Sequence, residues 1–235
     1  MKKLNRHSCG YAIILAFLCW ACGSNSNSSS SAEETGDGSI DISGAVDQIL
    51  ASEQVKNALQ NFQMETVNCD SIDPVLKEVY RKDQEVRKGF GDMMLVDQQN
   101  RKTVVSLLET CGFPQADEVN GTSYNAIFLV LQHSPGPIMG YYYRDVEKAV
   151  AAGKINRSTF ALMQDRLLMD FGYKQVYGTQ IRNDQLYELQ DPDHVNQRRA
   201  EVGLGPIETY VQYFNLNFEE EVQRMKGASA HSTGE

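Results

Sequence analysis

The chain has 235 residues, with 22 Lys and Arg against 31 Asp and Glu, a formal net charge of −9. That balance leaves no electrostatic case for a nucleic-acid partner, because neutralising phosphates takes a basic surface. Hydrophobic residues at 41% and aromatics at 9% suffice for a packed core, and the length, less a leader, corresponds to about one domain.

The N-terminus reads as an export signal. Lys2, Lys3 and Arg6 form a basic start, and Tyr11 to Trp20 is apolar but short for a bilayer span. Ala21-Cys22 at its end resembles a bacterial lipobox, in which Cys22 becomes the lipidated first residue. The position three before the cysteine, ordinarily aliphatic, is Cys19 here, with Leu18 one further back. A secretory signal cut near Ala21 and a retained anchor are the alternatives. From Gly23 to Gly38 no large apolar residue occurs, so this stretch cannot offset its ordering entropy and is expected to be a flexible tether. The expected layout is a lipoprotein-type signal peptide over 1–21, a Ser/Gly-rich tether over 22–40, one globular helical domain over 41–218 and a disordered tail over 219–235. The expected location is the bacterial cell envelope, periplasmic side or surface, with the membrane as partner through a lipid on Cys22.

Cys69 and Cys111 are the cysteines of the domain. In an exported protein they pair as a disulfide or stay as buried thiols, and both remain open. No Cys/His cluster has zinc-ligand spacing, so neither metal nor cofactor is expected.

The apolar spacing from Ala45 to Phe62 predicts a helix with a polar back. Asp73-Pro74 predicts the start of the next helix, an N-cap followed by proline at the first helical position. A further helix is predicted over Met93–Thr110, with Gly112 at its C-terminal cap. Ser123 to Ser134, SYNAIFLVLQHS, holds the longest apolar run after the leader. It predicts a central helix buried on every side, capped by Thr122 or Ser123 and delivering Gln132 and His133 at its end; a strand is the alternative. Helices follow over Met139–Ala152 and from Asn156 or Ser158 to Phe171. Tyr173 to Gln190 predicts a hairpin around the polar turn Arg182–Gln185, with Gly178 allowing a bulge. A short helix from Asp191 carries Arg198 and Arg199, and Ile207–Phe214 is the last helical piece. The fold class is mainly α: a compact helical domain with a buried central helix and one small β-hairpin.

Two patterns concern charge. Asp83-Gln84-x-x-Arg87-Lys88 recurs fourteen residues later as Asp97-Gln98-x-x-Arg101-Lys102. Asp and Arg four apart share a helical face, and the bland expectation is solvated pairs worth tenths of a kcal/mol. On the helix ending at Phe171, projection places Arg166 and Asp170 on the face of Phe160, Met163 and Leu167, and Asp165 between the directions of Leu168 and Met169, so Asp165 and Arg166 are expected to be partly buried and each needs a partner.

The ordered series Asp97-Gln98-Gln99-Asn100-Arg101, Cys111-Gly112-Phe113-Pro114, Gln132-His133, Asp165-Arg166, Gln175-x-Tyr177-Gly178-Thr179-Gln180 and Arg198-Arg199-x-x-Val202-Gly203-Leu204 resembles an uncharacterised family of bacterial domains carrying QH, DR, QxYGTQ and RRxxVGL in that order. The resemblance runs from about Tyr80 to Tyr213. It implies a shared fold and site and names no reaction.

The candidate catalytic residues are His133 and Asp165: His133 as a general acid/base, or as a donor contacting a ligand, with its ring oriented by a carboxylate such as Asp165 or Asp97. The candidate ligand contacts are Gln132, Arg166, Gln175, Tyr177, Gln180, Asp97 and Arg101, since guanidinium forks suit carboxylate or phosphate. Two readings follow. In one, these residues line a polar pocket that binds, and in its stronger form hydrolyses, a small polar or anionic ligand. In the other, they form a buried hydrogen-bond network in a non-catalytic structural or protein-interaction module of the envelope.

Overall fold

The computed structural model describes residues 40–115 and 118–232; the expected export signal, Cys22 and nearly all of the expected tether lie outside them. Helix α1 (Ser43–Leu50) and helix α2 (Glu53–Lys56) replace the single helix expected from Ala45. The break is Ser52, whose extended backbone places its hydroxyl to accept from the Val55 N–H and cap a fresh turn. A 3₁₀ turn, Cys69–Ser71, leads into α3 (Ile72–Arg87). Pro74 falls in the first turn of α3, where its missing N–H costs nothing. Asp73 serves a different helix from the one expected. Its carboxylate accepts from the Ser123 hydroxyl at 2.6 Å and the Asn120 N–H at 3.2 Å.

Asp92 caps α4 (Met93–Cys111), which stops at Gly112 with φ +83°. Cys111 is bonded to Cys69, with Cα atoms 5.5 Å apart, and ties the end of α4 to the turn before α3. Helix α5 (Gly121–Gln132) is the expected central helix, starting two residues early because the Asn120 side chain accepts from both the Thr122 and Ser123 N–H groups. Nine of its twelve residues are buried, as its all-round apolar sequence requires. Asp73 and Ser123 join the starts of α3 and α5, so the two helices run parallel and Arg87 and His133 come to the same end of the domain.

The helix expected over Met139–Ala152 is two, α6 (Gly136–Tyr141) and α7 (Tyr143–Ala151), joined at Tyr142. The Tyr142 hydroxyl donates to Glu109 at 2.7 Å, anchoring the corner on α4. Helix α8 (Arg157–Asp170) ends before Gly172, φ +80°. The hairpin is shorter than expected: β1 (Ile181–Arg182) pairs antiparallel with β2 (Gln185–Leu186), Ile181 opposite Leu186. Asn183 and Asp184 both take positive φ, as a two-residue type I′ turn demands. Residues 173–180 form an irregular loop, for a reason that the site explains.

A 3₁₀ turn at Pro192–His194 precedes α9 (Val195–Glu201) and α10 (Ile207–Gln212). The tail expected to be disordered is instead helical over α11 (Phe218–Ser232). Glu221 accepts from the Leu186 N–H and Arg224 donates to the Leu186 carbonyl, so α11 closes the open backbone groups of β2. Val222 and Met225 are buried beside them. The cluster of buried residues built on α1 to α8 is the main core, and Leu186, Leu189, Val195, Ile207, Val211 and Met225 form a second. Both cores and the disulfide lie in one compact unit, Gly36–Glu235. Among the described residues no helix is long and apolar enough to cross a membrane.

Candidate functional site

The polar residues singled out by the sequence fall into two groups with opposite hydrogen-bonding states. The first centres on Asp165, fully buried on α8. Its Oδ1 accepts from the Val176 and Tyr177 N–H groups at 2.7 and 3.0 Å, and its Oδ2 from the Thr179 N–H and hydroxyl, both at 2.9 Å. One carboxylate thus replaces the strand partner that the 176–179 backbone lacks, which is why this stretch is a loop. Burial pushes the Asp165 carboxyl above its ordinary value, and the three N–H groups pull it back. Gly178, at φ +69°, lets the loop wrap; a Cβ there would meet the Ile207 side chain at 2.3 Å.

Gln175 and Gln180 come to one side, as a bulge at Gly178 would allow, and they bind each other. The Gln175 Oε1 accepts from the Gln180 N–H at 2.8 Å, and its Nε2 donates to the Gln180 and Tyr187 carbonyls. The Gln180 Nε2 donates to the Leu162 carbonyl and the Thr179 hydroxyl. Arg198 donates to the carbonyls of Val176, Gln190 and Asp191, and Arg199 to those of Tyr177 and Gly205. Asp165, Gln175 and Gln180 therefore hold the loop through bonds that occupy them, and Tyr177 contributes its backbone to it. The carboxylate expected to orient His133 is bonded to four other donors, so a catalytic role for Asp165 does not fit its surroundings.

The second group meets where α3, α4, α5 and α8 converge. His133, the residue after α5, is half-buried, with Nδ1 3.4 Å from the Arg166 Nη1. That guanidinium nitrogen also donates to the Gln132 carbonyl at 3.3 Å, and the Arg166 Nε donates to the Gln180 Oε1 at 3.2 Å, linking the two groups. A guanidinium only donates. Nδ1 is therefore the accepting nitrogen, and the imidazole proton sits on Nε2. Burial first, then the charges of Arg87 and Arg166, hold the His133 pKa down to about 3. Near neutrality such an imidazole has no second proton to give, and its lone pair faces Arg166. It is a poor general acid/base; what it offers is the Nε2–H.

Neither His133 Nε2 nor Arg87 Nε, both buried, has a hydrogen-bond partner among the described residues. Arg87 is otherwise engaged: its Nη2 donates to Asp97 at 2.6 Å and to Asp83 at 3.2 Å. The repeated Asp–Arg motif is therefore not a pair of solvated ion pairs. Asp83 is 2% exposed, and the first copy's arginine joins both aspartates. Asp97, expected beside Arg101 or His133, is bonded to Arg87, and burial pushes its carboxyl up. Arg101, half-buried and facing the Asp97 charge, makes no ion pair among the described residues. Arg87 was not among the sequence's site candidates. The signal that pointed to it was the repeat itself, together with its place in the last turn of α3, where a cation suits the helix dipole.

The result is a pair of donors, His133 Nε2–H and Arg87 Nε–H, at one end of the central helix, with Arg166 against His133 and Arg101 one turn beyond Asp97 on α4. Two clefts among the described residues lie elsewhere. One, of about 370 Å³, is lined by Asn196, Glu208, Phe218 and Val222; the other, of about 260 Å³, by Phe113, Tyr124 and Lys148.

Neither the curated proteins nor the solved structures provide a match to the chain. The model of a family of unknown function, DUF6624, matches residues 72–223, more than half of the chain, and the protein belongs to that family.

Proposed function

We propose that this is an exported lipoprotein of the bacterial cell envelope whose helical domain binds a small anionic ligand, a carboxylate or a phosphate, at His133, Arg87, Arg166 and Arg101. The observation that carries the reading is the pair of buried donors without partners. A buried donor left unsatisfied costs about 1–3 kcal/mol, and an acceptor oxygen supplied by a ligand removes that cost. A carboxylate or phosphate oxygen supplies such an acceptor, and its charge and paired oxygens match the arginine forks. Hydrolysis is not part of this reading, because a neutral imidazole held by Arg166 is a donor and not a base.

The envelope assignment rests on the basic start, the apolar stretch and the Ala21-Cys22 pair. The Cys69–Cys111 disulfide supports an oxidising compartment. Intact mass of the protein from its native membrane, beside a Cys22→Ser variant, tests the anchor: a diacylglycerol-sized mass that vanishes in the variant is expected, and an unmodified Cys22 rejects it.

For binding, the unit 36–235 is titrated with inorganic phosphate and with acetate while the His133 ring signals are followed by NMR. A saturable shift is expected, and a His133→Phe variant that unfolds as cooperatively as the parent loses binding read by calorimetry. The satisfied bonds around Asp165 favour a second reading, a structural or interaction module without a ligand. Absence of saturable binding by either anion would decide for it.

A further inference from the structure

Six large apolar side chains are exposed among the described residues, and three of them fall within one six-residue stretch: Phe90 at 71%, Met94 at 83% and Leu95 at 50%. Single exposed apolar residues are ordinary, but a cluster marks a contact surface. These three form the corner between α3 and α4. Gly89 and Gly91 hold φ of +92° and +102° on either side of Phe90, and a Cβ at either would meet nothing within 4 Å, so the corner stands clear of the body.

The same corner carries Arg87, one of the two buried donors, whose charge acts on His133. Arg87 lies three residues before Phe90. On α4, Asp97 and Arg101 follow Met94 by three and seven residues, about 4.5 and 10.5 Å along the axis at about 1.5 Å per residue, on one helical face. The Arg87–Asp97 bond closes the corner from the other side. A wholly polar ligand has no use for this apolar lip, and the lip by itself does not explain the unpartnered donors.

We infer that the anion bound at His133 and Arg87 is the head of an amphiphile, a carboxylate or phosphate bearing an aliphatic chain, and that the chain lies on Phe90, Met94 and Leu95. The inference rests on the anion-binding reading above and gives that site its substrate class. A free acyl carboxylate and a phospholipid share this chemistry.

The test is a calorimetric series on the unit 36–235, below micellar concentrations, with acetate, butyrate, octanoate and neutral octanol. Apolar transfer predicts about two- to fourfold tighter binding for each methylene that reaches the lip. Octanoate should therefore bind at least tenfold more tightly than acetate, and octanol should not bind. A Phe90→Ser/Met94→Ser double variant should flatten the series without changing acetate binding, and His133→Phe should abolish it for every acid. Monomeric dihexanoyl phosphatidylglycerol, compared with octanoate, distinguishes the two sources by which binds more tightly. If acetate binds and octanoate binds no better, the amphiphile inference falls while anion binding stands. If no acid and no phosphate binds, both fall. Octanoate binding that survives His133→Phe would mean a greasy surface without a head-group site, and would also overturn the inference.

Discussion

Asp165 and His133 show how much a buried polar residue's meaning depends on its partners. Asp165 accepts from three main-chain N–H groups and one hydroxyl, so removing it strands three backbone N–H groups. Asp165→Ala should cost about 3–5 kcal/mol in urea unfolding, the range for breaking a buried charged network; a loss below about 1 kcal/mol would return Asp165 to the list of functional candidates. His133 carries the opposite expectation. Its folded pKa of about 3 lies below the ~6.5 of an unfolded histidine. Between those values the unfolded chain binds a proton that the fold refuses, so stability falls as pH drops through that window, at up to about 1.4 kcal/mol per pH unit. The difference in stability between the parent and His133→Phe should carry that slope. An NMR titration that protonates His133 above pH 5 would overturn the account of the ring. At this scale the sequence showed that Asp165 and Arg166 needed partners. It could not say which, because the partner of Asp165 is backbone, and backbone carries no residue-type signal.

At the level of elements, the repeat of Asp83-Gln84-x-x-Arg87 in Asp97-Gln98-x-x-Arg101 was legible, but its use was not. Each copy lies on its own helix, and only the turn between α3 and α4 brings Asp97 to Arg87. The breaks at Ser52 and Tyr142 were hidden for a related reason: an apolar period of 3.6 continues across both, while a hydroxyl bond to a neighbour decides the corner. Two expectations belong here. Reducing the Cys69–Cys111 bond, which spans 42 residues, should cost about 4 kcal/mol on the loop-entropy estimate, read as a lower urea midpoint with dithiothreitol. Gly178→Ala combines an unfavourable positive φ with a contact at 2.3 Å to the buried Ile207, and should destabilise by about 1–3 kcal/mol. Unchanged thermal unfolding of that variant would mean that the loop around Asp165 is looser than its bonds imply.

Over the whole molecule, α11 is the largest departure from expectation. Glu219 to Lys226 is a charged run with few apolar residues, and composition read it as solvated tail. Met225 packs in the second core, Glu221 and Arg224 bond the backbone of β2, and Val222 is buried as well. Truncation after Asn217 should therefore lower the melting temperature of the unit 36–235, whereas a disordered tail would be removed without effect.

By itself the sequence determined the helical class, the buried central helix with His133 at its end, the polar turn of the hairpin and the family. Each follows from local chemistry: apolar spacing, turn residues and an ordered motif series. Only the tertiary structure decided that the polar set divides into a satisfied scaffold around Asp165 and an unsatisfied pair of donors on His133 and Arg87. That division depends on which buried N–H groups find an acceptor, and acceptors come from backbone and side chains far apart in the chain.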